Sequence, residues 1–262
     1  MKYVVQRVSL AFVLCTVLIG SAARATDAVE SHLLQTLRAR FPTVKIDADD
    51  LGPSPIPGLY QVIAGDHVLY TDASGDHLIL GSMIDTRTKQ NLSDLAVDEH
   101  YSINFNSLPF DEAITIVKGN GARKLALFAD PDCPFCQRFE QEDMRSMTDL
   151  TVYLFLFPLQ QVHPHALRDA RAIWCSPDRA TAWTHWMLSR TPIPAGGSCA
   201  NDPIPKIAAL ARTLHVDATP TLFLQNGRRI GGFIPLPELQ RLMAKASAAS
   251  QSDLAASRPL PN

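Results

Sequence analysis

Cys133-Pro134-Phe135-Cys136 is the segment whose residue types and spacing carry the clearest chemistry. Two thiols separated by two residues can exchange an electron pair with a disulfide: one attacks, and the other releases the resulting mixed disulfide. The pair follows a compact apolar run, Lys124–Ala129, that reads as a strand, and it opens a helical stretch reaching about Met147. Cys133 therefore falls at a helix N-terminus, where unpaired N–H groups and the helix dipole favour a thiolate. Its pKa is expected within roughly 3.5–7.5. Pro134 sits in the first turn, where its missing N–H costs little. Cys136 lies one turn in and is expected to be more buried. These placements make Cys133 the exposed nucleophile and Cys136 the resolving thiol.

Other uses of such a pair fit less well. Gln137 follows it where a c-type haem attachment site needs His. A four-cysteine zinc site normally has a second close pair, but Cys175 and Cys199 are far apart in the chain, and no His pair follows at finger spacing. No metal and no cofactor are expected. Cys175 and Cys199 lie in a helical region, away from any thiolate-stabilising helix start, and read as a structural disulfide; the alternative is a second redox relay. Closing a loop of about 25 residues contributes on the order of 3 kcal/mol.

Thr219-Pro220-Thr221 enters a strand, Thr221–Leu224, that leads into a hairpin at Asn226-Gly227. Downstream of a strand, a Cys-x-x-Cys and a helix, this reads as a cis-proline that leaves the Thr219 backbone free to pair with an extended substrate. The competing reading is an ordinary edge-strand proline. His163, Pro164 and His165 follow the second strand and read as a solvated loop; the competing reading is that they line the cleft. Asp130 and Asp132 flank the nucleophile and would oppose a thiolate if close. None of these receives a catalytic role.

The elements that must position this chemistry fall into two groups. Val29, Leu33, Leu34, Leu37 and Phe41 share one helical face, ended by Pro42. Pro53, Pro55 and Pro57 mark an extended entry to three strands, Leu59–Ala64, His67–Thr71 and His77–Leu80. Such a unit has a thin core and gains by pairing with a copy of itself or by docking on a larger domain. A polar connection follows, partly helical around Leu92–Val97. Strands are then expected at Lys124–Ala129, Leu150–Phe157, Thr221–Leu224 and Arg229–Phe233, with helices at Ala166–Trp174, Arg179–Leu188, Ile204–Leu214 and Pro237–Ala246. The order implies an α/β domain with a mixed sheet and helices on both faces, within an α+β whole. The expected boundaries are 1–25 signal peptide, 26–85 N-terminal domain, 86–115 linker, 116–246 catalytic domain and 247–262 disordered tail.

With 262 residues, 46% hydrophobic, 19% charged and a net charge of −2, the chain reads as folded, which argues against a multi-span membrane protein and a binder of nucleic acid by bulk charge. Lys2 and Arg7, the apolar run Val8–Gly20 and Ala23-Arg24-Ala25 form a secretory leader, so export to an oxidising compartment is expected. Its removal takes Lys2, Arg7 and Arg24, leaving 21 basic and 26 acidic residues, and takes Cys15, leaving an even number of cysteines.

Taken together, Lys124–Cys136, Ala172–Cys175, Ala218–Thr221 and Gln225–Gly227, with Pro57-Gly58, Val68–Tyr70, Gly75–His77 and Gly81–Met83, resemble the thioredoxin superfamily, and within it the periplasmic thiol:disulfide interchange proteins of the DsbC/DsbG type. The resemblance implies a cystatin-like N-terminal dimerisation domain and a thioredoxin-like catalytic domain with a helical insertion. It also implies a V-shaped homodimer acting as a periplasmic disulfide isomerase/reductase with chaperone character, misfolded disulfide-containing proteins as substrates and a membrane reductant of the DsbD type. By resemblance Cys133 is the nucleophile, Cys136 the resolving cysteine, Thr219-Pro220 the substrate-binding loop and Cys175–Cys199 the structural disulfide. Two departures from better-known relatives stand out: Pro134-Phe135 stands where those isomerases have Gly-Tyr, and Leu127 where thioredoxin has a buried aspartate. A thiol oxidase and a non-enzymatic envelope holdase are the rival functions.

Overall fold

A computed structural model describes residues 28–65, 67–191 and 199–256. The expected leader, with Cys15, lies outside them. Among the described residues no helix is long and apolar enough to cross a membrane. The chain divides into two compact units at His100–Tyr101.

In the first unit, helix α1 over 28–40 buries Leu33 and Leu37 completely, and these pack with Ile46, Leu51 and Val62 into a small core. Phe41, just past the helix, is 38% exposed. Four strands, β1 (Leu51–Pro53), β2 (Leu59–Ala64), β3 (His67–Asp72) and β4 (Leu78–Leu80), form an antiparallel meander in chain order. The sequence pattern does not predict β1, which is short and ends in proline; at a sheet edge the missing N–H is tolerated. Helix α2 (Leu92–His100) falls where a linker is expected. It instead packs on this sheet, where Tyr70 and Ser93 share a buried hydroxyl hydrogen bond of 2.6 Å. On β4, Ile79 and Leu80 are 52% and 75% exposed.

The second unit holds the five-stranded sheet β5-β7-β6-β8-β9, built from β5 (Ile114–Lys118), β6 (Arg123–Ala129), β7 (Leu150–Leu156), β8 (Thr221–Leu224) and β9 (Arg229–Gly231). Only β6 and β7 run parallel; the other pairs are antiparallel. Alternation along β6 sends Leu125, Leu127 and Ala129 to one core and Ala126 and Phe128 to the other. Both faces are covered, which is why β6 reads as an unbroken apolar run. The expected mixed α/β architecture is the one observed. Strand β5 is an addition to the expected elements, although its β-branched residues carry a strand signal.

Helices α3 (Pro134–Arg138), α4 (Ala166–Trp174), α5 (Arg179–Ser189), α6 (Ile204–Thr213) and α7 (Leu236–Ala256) complete the unit. The hairpin between β8 and β9 requires glycine. Gly227 has φ +89°, and a Cβ there would sit 2.0 Å from the Ile103 carbonyl oxygen. Helix α7 continues to Ala256, through an Ala-rich stretch without Gly or Pro to stop it, where a disordered tail is expected from 247; the rest of that tail, 257–262, lies outside the described residues.

Candidate active site

Strand β6 delivers the chain to Asp130, and the short loop Asp130–Asp132 leads into α3. Cys133 has the extended backbone of an N-cap, and Pro134 fills the first turn. The helix expected to reach Met147 is α-helical for five residues and then π-helical over Phe139–Met144. The buried Glu140 carboxyl in that stretch accepts from the Trp183 indole N–H of α5 at 2.6 Å, and burial pushes its pKa up.

Cys133 and Cys136 are free thiols, and both are buried, at 3% and 1% exposure. This corrects the expected exposure of Cys133; Phe135, at 57%, is the exposed side chain instead. The reason is the neighbouring loop. The Thr219–Pro220 peptide is cis, and the Thr219 carbonyl accepts from the Cys133 Sγ at 3.3 Å, covering the sulfur.

The two thiols have opposite electrostatics. Cys133 is lowered to about 6. The leading cause is the Cys136 thiol, which donates to its sulfur; burial opposes this, and the Thr219 hydroxyl and the N–H groups of Cys136 and Phe135 add to it. The helix start therefore acts, but behind the partner thiol. Cys136 is pushed well above the ordinary thiol range, first by burial and then by Cys133. The backbone N–H of Asp130 leads the opposing influences. The Thr219 hydroxyl is buried without an ordinary hydrogen-bond partner and favours the thiolate of either cysteine.

The loop before Cys133 is held from two sides by residues to which the sequence assigns no role. The Asp130 carboxylate is completely buried. It accepts from Asp132 N at 2.7 Å and Leu159 N at 2.7 Å, and His163 Nδ1 lies 2.9 Å away. His163 is thus partly buried against a carboxylate, whereas His165 is exposed. On the other side the Pro131 carbonyl accepts from Trp186 Nε1 at 2.8 Å and Arg190 Nη1 at 2.7 Å. Arg190 also lies 3.5 Å from Asp132. The Asp132 carboxyl is raised by burial and by Asp169 and Asp130, with Arg190 opposing. Arg190 takes this post from a left-handed cap after α5, φ 50°, for which the sequence offers no signal.

Cys175, at the end of α4, is bonded to Cys199 with a Cα–Cα distance of 5.5 Å. Among the described residues no group of His, Cys, Asp and Glu is gathered as a metal site.

A family model described as a thioredoxin-like domain matches residues 110–247. A second, the disulfide bond isomerase protein N-terminal domain, matches 21–94. The chain is 32% identical over 219 residues to a probable thiol:disulfide interchange protein DsbC of Bordetella parapertussis, covering 84% of this chain and 76% of the relative. It is 28% identical over 233 residues to the thiol:disulfide interchange protein DsbC of Escherichia coli, covering 88% and 94%. The crystal structure of a disulfide interchange protein from Neisseria gonorrhoeae superposes with a TM-score of 0.50 at 44% identity, covering 53% of this chain and 99% of that one.

Proposed function

The chain belongs to the DsbC-type thiol:disulfide interchange proteins of the thioredoxin superfamily, and from that premise we propose that it is a periplasmic disulfide isomerase and reductase acting on misfolded exported proteins. The observation that carries this reading is the split between a Cys133 thiol lowered to about 6 and a Cys136 thiol pushed high, beside Thr219.

The Cys133 thiolate attacks one sulfur of a wrong substrate disulfide. The S–S bond breaks, the second substrate sulfur leaves as a thiolate and takes a proton from solvent, and Cys133 is left in a mixed disulfide. If another substrate thiolate then attacks that bond, Cys133 is released unchanged and the substrate is isomerised. If Cys136 attacks, it loses its proton, Cys133–Cys136 forms, and the substrate is reduced by two electrons. A membrane thiol reductant of the DsbD type would restore the dithiol. Neither step requires a cofactor or metal.

Thr219 is assigned to substrate binding because its main chain lies beside the reacting sulfur, where an extended peptide can pair with it. The exposed side chains of Phe135 and Val162 offer apolar contacts to an unfolded chain, supporting chaperone character. Assembly as a homodimer is favoured by the first unit: β4 is an edge strand with Ile79 and Leu80 exposed, over a small core.

The test is refolding of a scrambled multi-disulfide protein. Wild type should restore native pairing catalytically and Cys133→Ala should not. An enzyme that only oxidises thiols in this assay, and rests oxidised in the periplasm, would instead be an oxidase; stoichiometric holding without turnover would make it a holdase.

A further inference from the structure

The loop that delivers Cys133 is a four-residue turn, and it is held by α5, which takes no part in the exchange steps. Cys133 N donates to the Asp130 carbonyl at 3.2 Å, so Pro131 and Asp132 are the two central residues. Proline at the first central position suits both common turn types, which differ in the direction of the central peptide. Pro131 alone therefore does not set that peptide; contacts on its two edges do. Its N–H, from Asp132, donates to the Asp130 carboxylate at 2.7 Å. Its carbonyl, from Pro131, accepts from Trp186 Nε1 at 2.8 Å and Arg190 Nη1 at 2.7 Å. Pro131 is buried, so loss of these donors would leave its carbonyl poorly met. Arg190 reaches further. Its Nη2 donates to Gln137 Oε1 at 3.3 Å, and Gln137 N donates to the Cys133 carbonyl at 3.0 Å. One planar guanidinium thus ties a residue before Cys133 to the residue after Cys136. Arg190 N donates to the Trp186 carbonyl at 3.0 Å, and the guanidinium lies 5.2 Å from the Trp186 ring centre, so the two donors brace each other.

We propose that Arg190 is a positioning residue for the nucleophile: together with Trp186 it locks the Pro131–Asp132 peptide and, through Gln137, the first turn of α3, and so fixes where the Cys133 sulfur stands. The proposal rests on the assignment of Cys133 as nucleophile. Cys133 is held by its N–H on the turn and by its carbonyl on Gln137 N, and its sulfur lies 3.3 Å from the Thr219 carbonyl. Without the guanidinium, the turn and the helix start move independently. The sulfur is then spread over positions of which only some face a disulfide held beside Thr219. A misplacement of about 1 Å can cost on the order of a hundred-fold in rate; with the Trp186 donor still in place, about ten-fold is expected. Arg190 also lies 3.5 Å from Asp132, so loss of its charge is the rival cause.

An uncharged aromatic disulfide, 4,4′-dithiodipyridine, separates place from charge in the reduced full-length protein. The Cys133 thiolate bonds one of its sulfurs, the S–S bond breaks, and the other half leaves with the electron pair, takes a proton and absorbs as thiopyridone. The rate of this first release rises with pH as Cys133 ionises and then levels. The midpoint reports the pKa, and the plateau reports the thiolate where it stands. Loss of a positive charge moves the midpoint upward, and a less acidic thiol is the slightly better nucleophile, so charge alone does not lower the plateau. R190M, of similar length but without donors, should lower the plateau about ten-fold. R190K keeps one donor for the Pro131 carbonyl and should fall between R190M and wild type. W186F removes the other donor without altering charge and should also lower the plateau. A wild-type plateau in folded R190M or folded W186F overturns the proposal, as does a change confined to the midpoint or an R190K plateau no higher than that of R190M. So does failure of both R190M and R190K to fold, which would assign Arg190 to the fold alone. The underlying reading fails separately: it falls if C133A releases thiopyridone at the wild-type rate.

Discussion

Replacing Cys136 tests why Cys133 is acidic. The leading influence holding Cys133 at about 6 is the hydrogen bond from the Cys136 thiol, ahead of the Thr219 hydroxyl and the N–H groups at the helix start. Hydrogen bonds to charged groups are worth ~1.5–3 kcal/mol net, and a thiol is a weak donor, so the low end applies. That corresponds to about one pH unit or slightly more. Cys136→Ala should therefore bring Cys133 to about 7–7.5. At pH 7 the thiolate fraction would fall from about nine-tenths to between about one quarter and one half. Cys136→Ser keeps a donor at the same site and should leave Cys133 near its wild-type value. Thiolate absorbance in the ultraviolet, titrated for each variant and checked by alkylation rate against pH, measures both shifts. The consequence reaches function: the alanine variant, which retains mixed disulfides because it cannot resolve them, should capture substrate more slowly than the serine variant at neutral pH. If Cys133 titrates at the same pH in wild type and Cys136→Ala, the helix-start N–H groups carry the effect and the partner thiol is not its leading cause.

The same depressed pKa makes the reduced protein's stability depend on pH. The folded value of about 6 lies below an unfolded thiol near 8.5, so the folded state binds fewer protons between them and stability rises with pH, by about 2.5 kcal/mol from pH 5 to pH 8; denaturant unfolding should show this in wild type and lose it in Cys133→Ala. Replacing both Cys175 and Cys199 by alanine should lower stability by roughly 2–5 kcal/mol while the folded fraction keeps isomerase turnover, and loss of turnover with an intact fold would support a relay. Leu80→Asp, at a position 75% exposed on the β4 edge, should convert the homodimer to monomers in light scattering without unfolding them; a dimer that survives would move the interface elsewhere.

What is legible in the sequence is what adjacent residues decide together. The apolar run of β6 and the insertion helices α4, α5 and α6 fall within a residue or so of their expected limits because period and turn residues are local signals. The spacing of Cys133 and Cys136 likewise implies a helix start. It does not imply the burial of Cys133, because the Thr219 carbonyl that covers the sulfur lies 86 positions away. The same limit applies to Asp130. In the sequence it is an acidic residue near a nucleophile, and charge alone says that it should oppose a thiolate. In the fold its carboxylate is held by Asp132, Leu159 and His163, while its carbonyl accepts from the Cys133 N–H. One residue thus presents a carboxylate to the turn after β7 and a carbonyl to the backbone of the nucleophile, and only the backbone direction at the end of β6 decides which group meets which. Pairings of this kind join positions 33 and 59 apart, as in Asp130 with His163 and Pro131 with Arg190. They follow from closure of the sheet and docking of the insertion, and neither is written in the spacing of the residues that meet.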